Sequence, residues 1–189
     1  NHRNEIADGV RVGSGKSGLT GSGREVVDEM DRLGMVVDVS HLNETGFWEV
    51  ASRVDGPFIA SHSNARSLRD HPRNLTDDQI RAVAEADGVI GLNFYPQFLE
   101  REGIPATADS LVRHLEHLLE VAGPRHVGLG SDYDGIPRGP DEMEDAEGFP
   151  RLTEALCGRG IAEETIRAVL GENWLRVLGA VQRVDDGKR

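Results

Sequence analysis

The sequence predicts an α/β fold in which parallel strands alternate with helices. Short β-branched runs of strand length recur along the chain, and apolar stripes at helical spacing separate them. Four such runs end in polar or ionisable residues: His41, His62, Asn93 with Tyr95, and Asp132. Strand, helix, strand, helix implies parallel strands joined by right-handed crossovers.

The first stretch, residues 1–21, is rich in Gly and polar residues and reads as a connecting loop. Its GSGKSG segment resembles a phosphate loop only superficially, because the GxxxxGK[ST] spacing is missing and no strand precedes it. Ser22 and Glu25 have capping-box spacing ahead of a stripe of Val26, Val27, Met30 and Leu33, and Gly34 ends that helix. Met35–His41 reads as the first strand, buried on both faces. Phe47, Trp48, Val50 and Ala51 mark a second helix, and Pro57–His62 the second strand. Thr76 and Gln79 form another capping box before Ile80, Val83 and Ala84. Val89–Tyr95 is the third strand, Leu111 to Ala122 a fourth helical stripe, and His126–Asp132 the fourth strand. The remainder reads as helical: Leu152–Leu156, Ile161–Leu170, and Trp174 to Val181. A doubly wound sheet and a (β/α)8 barrel both fit; a barrel needs eight βα units, so on that reading half is absent.

Composition narrows the partners. The chain has 189 residues, enough for one domain, and a formal net charge of −12. That charge argues against nucleic acid or an anionic membrane surface as partner. Cys157, the only cysteine, excludes an internal disulfide and suits a reducing compartment; on a helical stretch it is expected to be a buried, inert thiol. No apolar run approaches the ~20 residues of a membrane span, and no signal peptide is visible, so a cytoplasmic location is expected. The chain starts with Asn rather than Met, so its true N-terminus is expected to lie upstream.

Functional groups of parallel α/β proteins gather at the C-terminal ends of strands, where the loops open. Two imidazoles and a carboxylate at neighbouring strand ends can converge on one cation, and both are good Zn²⁺ ligands. His41, His62 and Asp132 are therefore the candidate metal ligands. In GSDYDG, Asp132 should point into the mouth and Asp134 brace the turn, while Gly130 and Gly135 allow close backbone approach. Arg73, in the loop after the second strand, reads either as a surface residue paired with Asp70 or as a fork for a substrate carboxylate. His114 and His117 are expected on an outer helix surface, His126 at the stability face, and His71 in a supporting role.

Together the segments GLT…GREVVDEMDRLGMVVDVSH, SHSNAR…HPRN, GVIGLNFY, HVGLGSDYDG and GENWLRVL resemble the membrane (renal) dipeptidase family of zinc peptidases. They run in family order from about Leu19 to Val181. The resemblance implies the C-terminal half of a (β/α)8 TIM-like barrel: one partial domain over 1–189, with a loop at 1–21 and four βα units plus C-terminal helices over 22–183. It implies hydrolysis of dipeptides by metal-activated water. His41 and His62 match ligands of one Zn²⁺. Asp132 matches a ligand of the other and the catalytic carboxylate. Arg73 matches the arginine for the substrate's C-terminal carboxylate, and Tyr95 a tyrosine facing the substrate. The family's His-x-Asp pair, bridging glutamate and N-terminal histidine have no counterpart here, so the site is expected to be incomplete and this chain alone to have little activity. The alternatives are a related binuclear amidohydrolase acting on another amide or lactone, and a non-catalytic fragment. Open outer strands are expected to invite a second copy of the chain or the missing N-terminal half.

Overall fold

The computed structural model describes residues 1–12 and 17–182, so most of the GSGKSG segment lies outside it. Helix α1 spans Gly21–Arg32. Its cap is Thr20 rather than the expected Ser22: the Thr20 hydroxyl accepts from Gly23 N–H at 2.9 Å and donates to Glu5 O at 2.7 Å. One side chain thus starts the helix and fastens the N-terminal segment to it. That segment is further held by antiparallel bridges Ala7 to Leu19 and Gly9 to Leu42.

Helix α2 (Glu44–Ala51) is capped by Asn43, and α3 (Asp77–Glu85) by the expected Thr76–Gln79 capping box. Strands β1 (Ile59–Ala60), β2 (Val89–Leu92) and β3 (Val127–Leu129) form a parallel sheet in chain order, with Ile59 opposite Val89 and Ile90 opposite Val127. Between them lie α4 (Pro96–Leu99) and α5 (Ala108–Ala122). Helices α6 (Phe149–Gly158), α7 (Glu163–Arg167) and α8 (Asn173–Gln182) follow, with a wide π turn at Ala168–Glu172 before α8.

The expected four-stranded sheet is three-stranded among the described residues. The Met35–His41 run makes one parallel bridge, Asp38 to Ile59, with Val39 N–H on Ile59 O at 2.8 Å and Ile59 N–H on Val37 O at 2.9 Å. Val37 and Val39 are buried while Met35 and Asp38 are exposed, so the segment is a half-buried edge and not a strand covered on both faces. It ends where His41 turns into the left-handed region, φ 75°.

The main core lies between the sheet and helices α3, α5 and α6, and includes Ile80, Val83, Ile90, Leu92, Leu111, Leu115, Leu118, Leu152 and Leu156. A smaller cluster of Val89, Val177 and Val181 seats α8 against the start of β2. All four residues of β2 are buried. The outer edge of β3 is covered as well. Asn173 Nδ2 donates to Pro124 O and Val127 O, both at 2.8 Å, and Trp174 Nε1 donates to Leu129 O at 3.2 Å. These alternate carbonyls face away from β2, and the GENW segment satisfies them with side chains instead of another strand.

Two further expectations change. Cys157 is exposed, on the outer side of α6. His114 is buried in the core, not on the helix surface: Ala65 N–H donates to its Nδ1 at 3.2 Å, and its Nε2 faces Leu99 O at 3.2 Å. The neutral ring therefore clamps the loop after β1 to the end of α4. Burial is the main cause that lowers its pKa to about 4, with the Leu99 carbonyl opposing. A lowered imidazole pKa means the unfolded chain binds the proton first, so this contribution is intact above pH ~6.5 and lost as pH falls toward 4. Urea unfolding of the full chain is expected to lose about 3 kcal/mol from this residue across that window. A His114→Phe variant should be less stable at pH 7 and show correspondingly weaker pH dependence. Identical pH profiles for the two proteins would contradict the clamp.

Candidate active site

The expected residues come together at the C-terminal ends of the parallel segments. His41 follows the Asp38 bridge and His62 follows β1. Their Nε2 atoms are 2.7 Å apart and their ring centroids 4.7 Å apart. Two imidazoles that share one ion stand within about 3–4 Å at their ring nitrogens, and these two lie inside that limit, at hydrogen-bonding distance. The far side of each ring is also engaged: His62 Nδ1 meets Ser61 Oγ at 2.7 Å, and His41 Nδ1 meets the Asn1 amide at 2.9 Å. Burial lowers both imidazole pKa values, His41 to about 4, and the Arg73 charge pushes in the same direction. Both rings are therefore neutral near pH 7, the form that binds a divalent metal.

Asp132 leaves β3 with φ 75° and ψ 25°. Like His41, it is a non-glycine residue in the left-handed region, where Asp and His are among the side chains that tolerate the strain. Its Oδ2 accepts from Asn93 Nδ2 at 3.1 Å. Asn93 is fully buried and is itself held: its N–H donates to Asn64 Oδ1, Asn64 Nδ2 donates to its carbonyl, and its Oδ1 accepts from Tyr95 N–H at 2.6 Å. One amide side chain thus sets the positions of both Asp132 and the Tyr95 backbone.

Arg73 is 5 % exposed and pairs with no carboxylate among the described residues, which removes the Asp70 reading. Its Nη2 donates to His62 O at 3.2 Å, its guanidinium lies 5.6 Å from the Phe98 ring centre, and its Nε has no partner. Burial lowers its pKa to about 10, with Asp132 and Asp38 opposing. His71 supports the loop: its Nδ1 accepts from Arg73 N–H at 3.1 Å, and its ring lies 4.5 Å from that of Phe98. A cavity of about 450 Å³ has His41, Arg73, Tyr95, Phe98 and Asp132 in its walls.

The remaining histidines on the helix and strand elements lie away from this region. His117 Nε2 faces Asp77 Oδ1 at 2.9 Å, and His126 Nδ1 faces Gly88 O at 3.0 Å. Among the described residues, no three His, Cys, Asp or Glu side chains gather into one ligand cluster. No helix among them is long and apolar enough to cross a membrane.

The whole chain, residues 1–189, matches the membrane dipeptidase family, peptidase family M19. The chain belongs to this family. A metallo peptidase from Rhodobacter sphaeroides, solved with a phosphinate mimic of the dipeptide L-Ala-D-Ala, superposes with a TM-score of 0.83 at 41 % identity, over 87 % of this chain and 47 % of that one. Dipeptidase aclJ of Aspergillus oryzae is 37 % identical over 88 % of this chain and 40 % of its own length. A Klebsiella pneumoniae protein from the pqqA 5′ region is 43 % identical over 85 % of this chain and 60 % of its own length. The chain therefore spans roughly half the length of the relatives it matches, and its parallel sheet with covering helices is the fold of the Rhodobacter sphaeroides metallo peptidase over that span.

Sequence reading missed Asp38, Ser61 and Asn64. The available signal was Asp38, a carboxylate inside the apolar run MVVDVSH, where a purely structural strand has no use for one.

Gly135 shows how tightly Asp132 is held. A Cβ there would lie within 2.2 Å of Asp132 Oδ1. Gly135→Ala is expected to push the carboxylate off Asn93, costing about 0.5–1.5 kcal/mol for the lost bond. The Asn93 side-chain amide protons should then exchange faster by NMR. Unchanged exchange would mean that the methyl group is absorbed elsewhere.

Proposed function

We propose that the protein to which these residues belong is a zinc-dependent dipeptidase. The observation that carries this reading is Arg73: a buried cation with an unpaired Nε, in the wall of the cavity that also holds His41 and Asp132. Leaving a buried donor unpaired costs about 1–3 kcal/mol, and a ligand carboxylate would answer both the charge and the empty donor. A cavity that anchors a carboxylate a short distance from a metal-binding imidazole pair suits a substrate with only one peptide bond.

The residues fit a metal. His41 and His62 supply two neutral imidazoles converging on one point, and Asp132 supplies a carboxylate held by Asn93. Zn²⁺ is the ion these donors favour; His41 and His62 would hold one Zn²⁺ and Asp132 would belong to the other, with further ligands for both from beyond the described residues. When bound, such ions lower the pKa of water and polarise the scissile carbonyl. This chain's own residues do the rest. Arg73 grips the substrate's C-terminal carboxylate. Tyr95, its ring edge-on to Phe98 at 4.8 Å, walls the cavity on the substrate side. With Oδ2 committed to Asn93, Asp132 Oδ1 is the atom that takes the proton from the attacking water and passes it to the leaving amine. The strands here are read as the C-terminal part of a barrel closed by segments outside 1–189.

Arg73→Ala in the full-length enzyme is expected to lower kcat/KM for dipeptides with a free C-terminus by about 2–5 kcal/mol, which is about thirtyfold or more. C-terminally amidated substrates should lose far less. Equal losses on both would exclude the carboxylate role.

Asp132→Asn should abolish turnover while keeping the bond to Asn93, because an amide cannot take the proton of the attacking water and is a weaker metal ligand. Near-normal turnover with full zinc content would make Asp132 structural only.

A further inference from the structure

The Asp38 carboxylate sits where its segment meets the end of β1, and it accepts hydrogen bonds from the two serines that precede His41 and His62. Its Oδ1 accepts from the backbone N–H groups of Ser40 and Ser61, both at 3.0 Å. Its Oδ2 lies 2.5 Å from Ser61 Oγ, the separation of a hydroxyl donating to a carboxylate. Ser61 has one hydroxyl proton, and Asp38 takes it. Ser61 Oγ can therefore only accept at its 2.7 Å contact with His62 Nδ1. The proton in that contact belongs to His62. The other tautomer would need the Ser61 proton for Nδ1, leaving two oxygens 2.5 Å apart with no proton between them.

We propose that Asp38, acting through the Ser61 hydroxyl, holds His62 in the Nδ1–H tautomer and so turns its Nε2 lone pair toward His41. Asp38 and Ser61 are positioning residues. Ser40 fixes the same ring from the backbone, its Oγ accepting from His62 N–H at 3.1 Å. Indirect partners of this kind tune metal ligands; here a hydroxyl stands between carboxylate and imidazole. The consequence for metal binding rests on the dipeptidase reading, but the relay itself does not.

Asp38→Asn is the informative change. Two backbone N–H groups demand an oxygen at the Oδ1 position, so the new amide must place its NH₂ group at Oδ2. It then donates to Ser61, whose hydroxyl turns and donates to His62 Nδ1. The tautomer reverses, and a proton occupies the nitrogen that would bind metal. The test uses the full-length protein, ¹⁵N-labelled at histidine and freed of metal, with two-bond ¹⁵N–¹H correlation spectra near pH 8. Wild type and Ser61→Thr should show His62 protonated at Nδ1, Asp38→Asn should show Nε2, and Ser61→Ala should lose the preference. Zinc affinity by chelator competition should fall about 10–100-fold in Asp38→Asn and Ser61→Ala and be retained in Ser61→Thr. If Asp38→Asn does not fold, the Ser61→Ala and Ser61→Thr pair decides. An Nε2–H tautomer in wild type, or an unchanged tautomer in Asp38→Asn or Ser61→Ala, overturns the relay. Reversal in a protein that binds no zinc leaves the relay standing and removes the dipeptidase reading. Tight zinc binding, equal in every variant and with no change of tautomer, does the opposite.

Discussion

The site depends on one carboxylate bridging two strand ends that the backbone alone barely joins. Between the segment around Asp38 and β1 there is a single parallel bridge. A ladder this short gives little resistance to slipping, yet it carries both imidazoles. Asp38 adds two bonds across the gap, from the Ser61 N–H and hydroxyl, and one to Ser40 N–H on its own segment. Register and side-chain direction are thus set by the same group.

The other half of the cavity wall uses a parallel device. Asn64 and Asn93 exchange side-chain and backbone bonds across the ends of β1 and β2, and Asn93 then reaches Asp132. Both devices place an engaged polar side chain at a short strand; Asn64 and Asn93 are buried there, while Asp38 is exposed. Inside a protein such groups rigidify only when every bond is made, and half-made networks are costly. Arg73 departs from that rule with an unpaired Nε, and so marks the place where a ligand belongs.

Much of this was legible in the sequence. The alternation of β-branched runs and helical stripes located β1, β2 and β3 and the helices around them, because burial on both faces leaves a continuous apolar signature. It misjudged Met35–His41, since a β-branched run records strand preference but not whether a neighbour completes the ladder. The rule that functional groups collect at strand ends brought out His41, His62, Tyr95 and Asp132, which do gather in one region. His114 was misplaced because helical spacing says which residues share a face, and not that this face lies over a loop with a backbone N–H to satisfy. Asp38 and Ser61 were missed because their contacts depend on the strand crossing, which no local pattern encodes.

The cover over β3 has a consequence for the growing chain. The carbonyls of Val127 and Leu129 are capped by residues 173 and 174, which lie 46 and 45 positions further along the chain. Until these leave the ribosome, a nascent chain with a formed sheet shows one bare edge to its neighbours. The wide turn at Ala168–Glu172 lets Asn173 and Trp174 swing over that edge, and only then is it closed to other strands. A chain cut just before Asn173 would keep the residues of the main core and carry an adhesive margin. The GENW segment thus acts as a late seal whose absence is felt as aggregation before it is felt as lost stability.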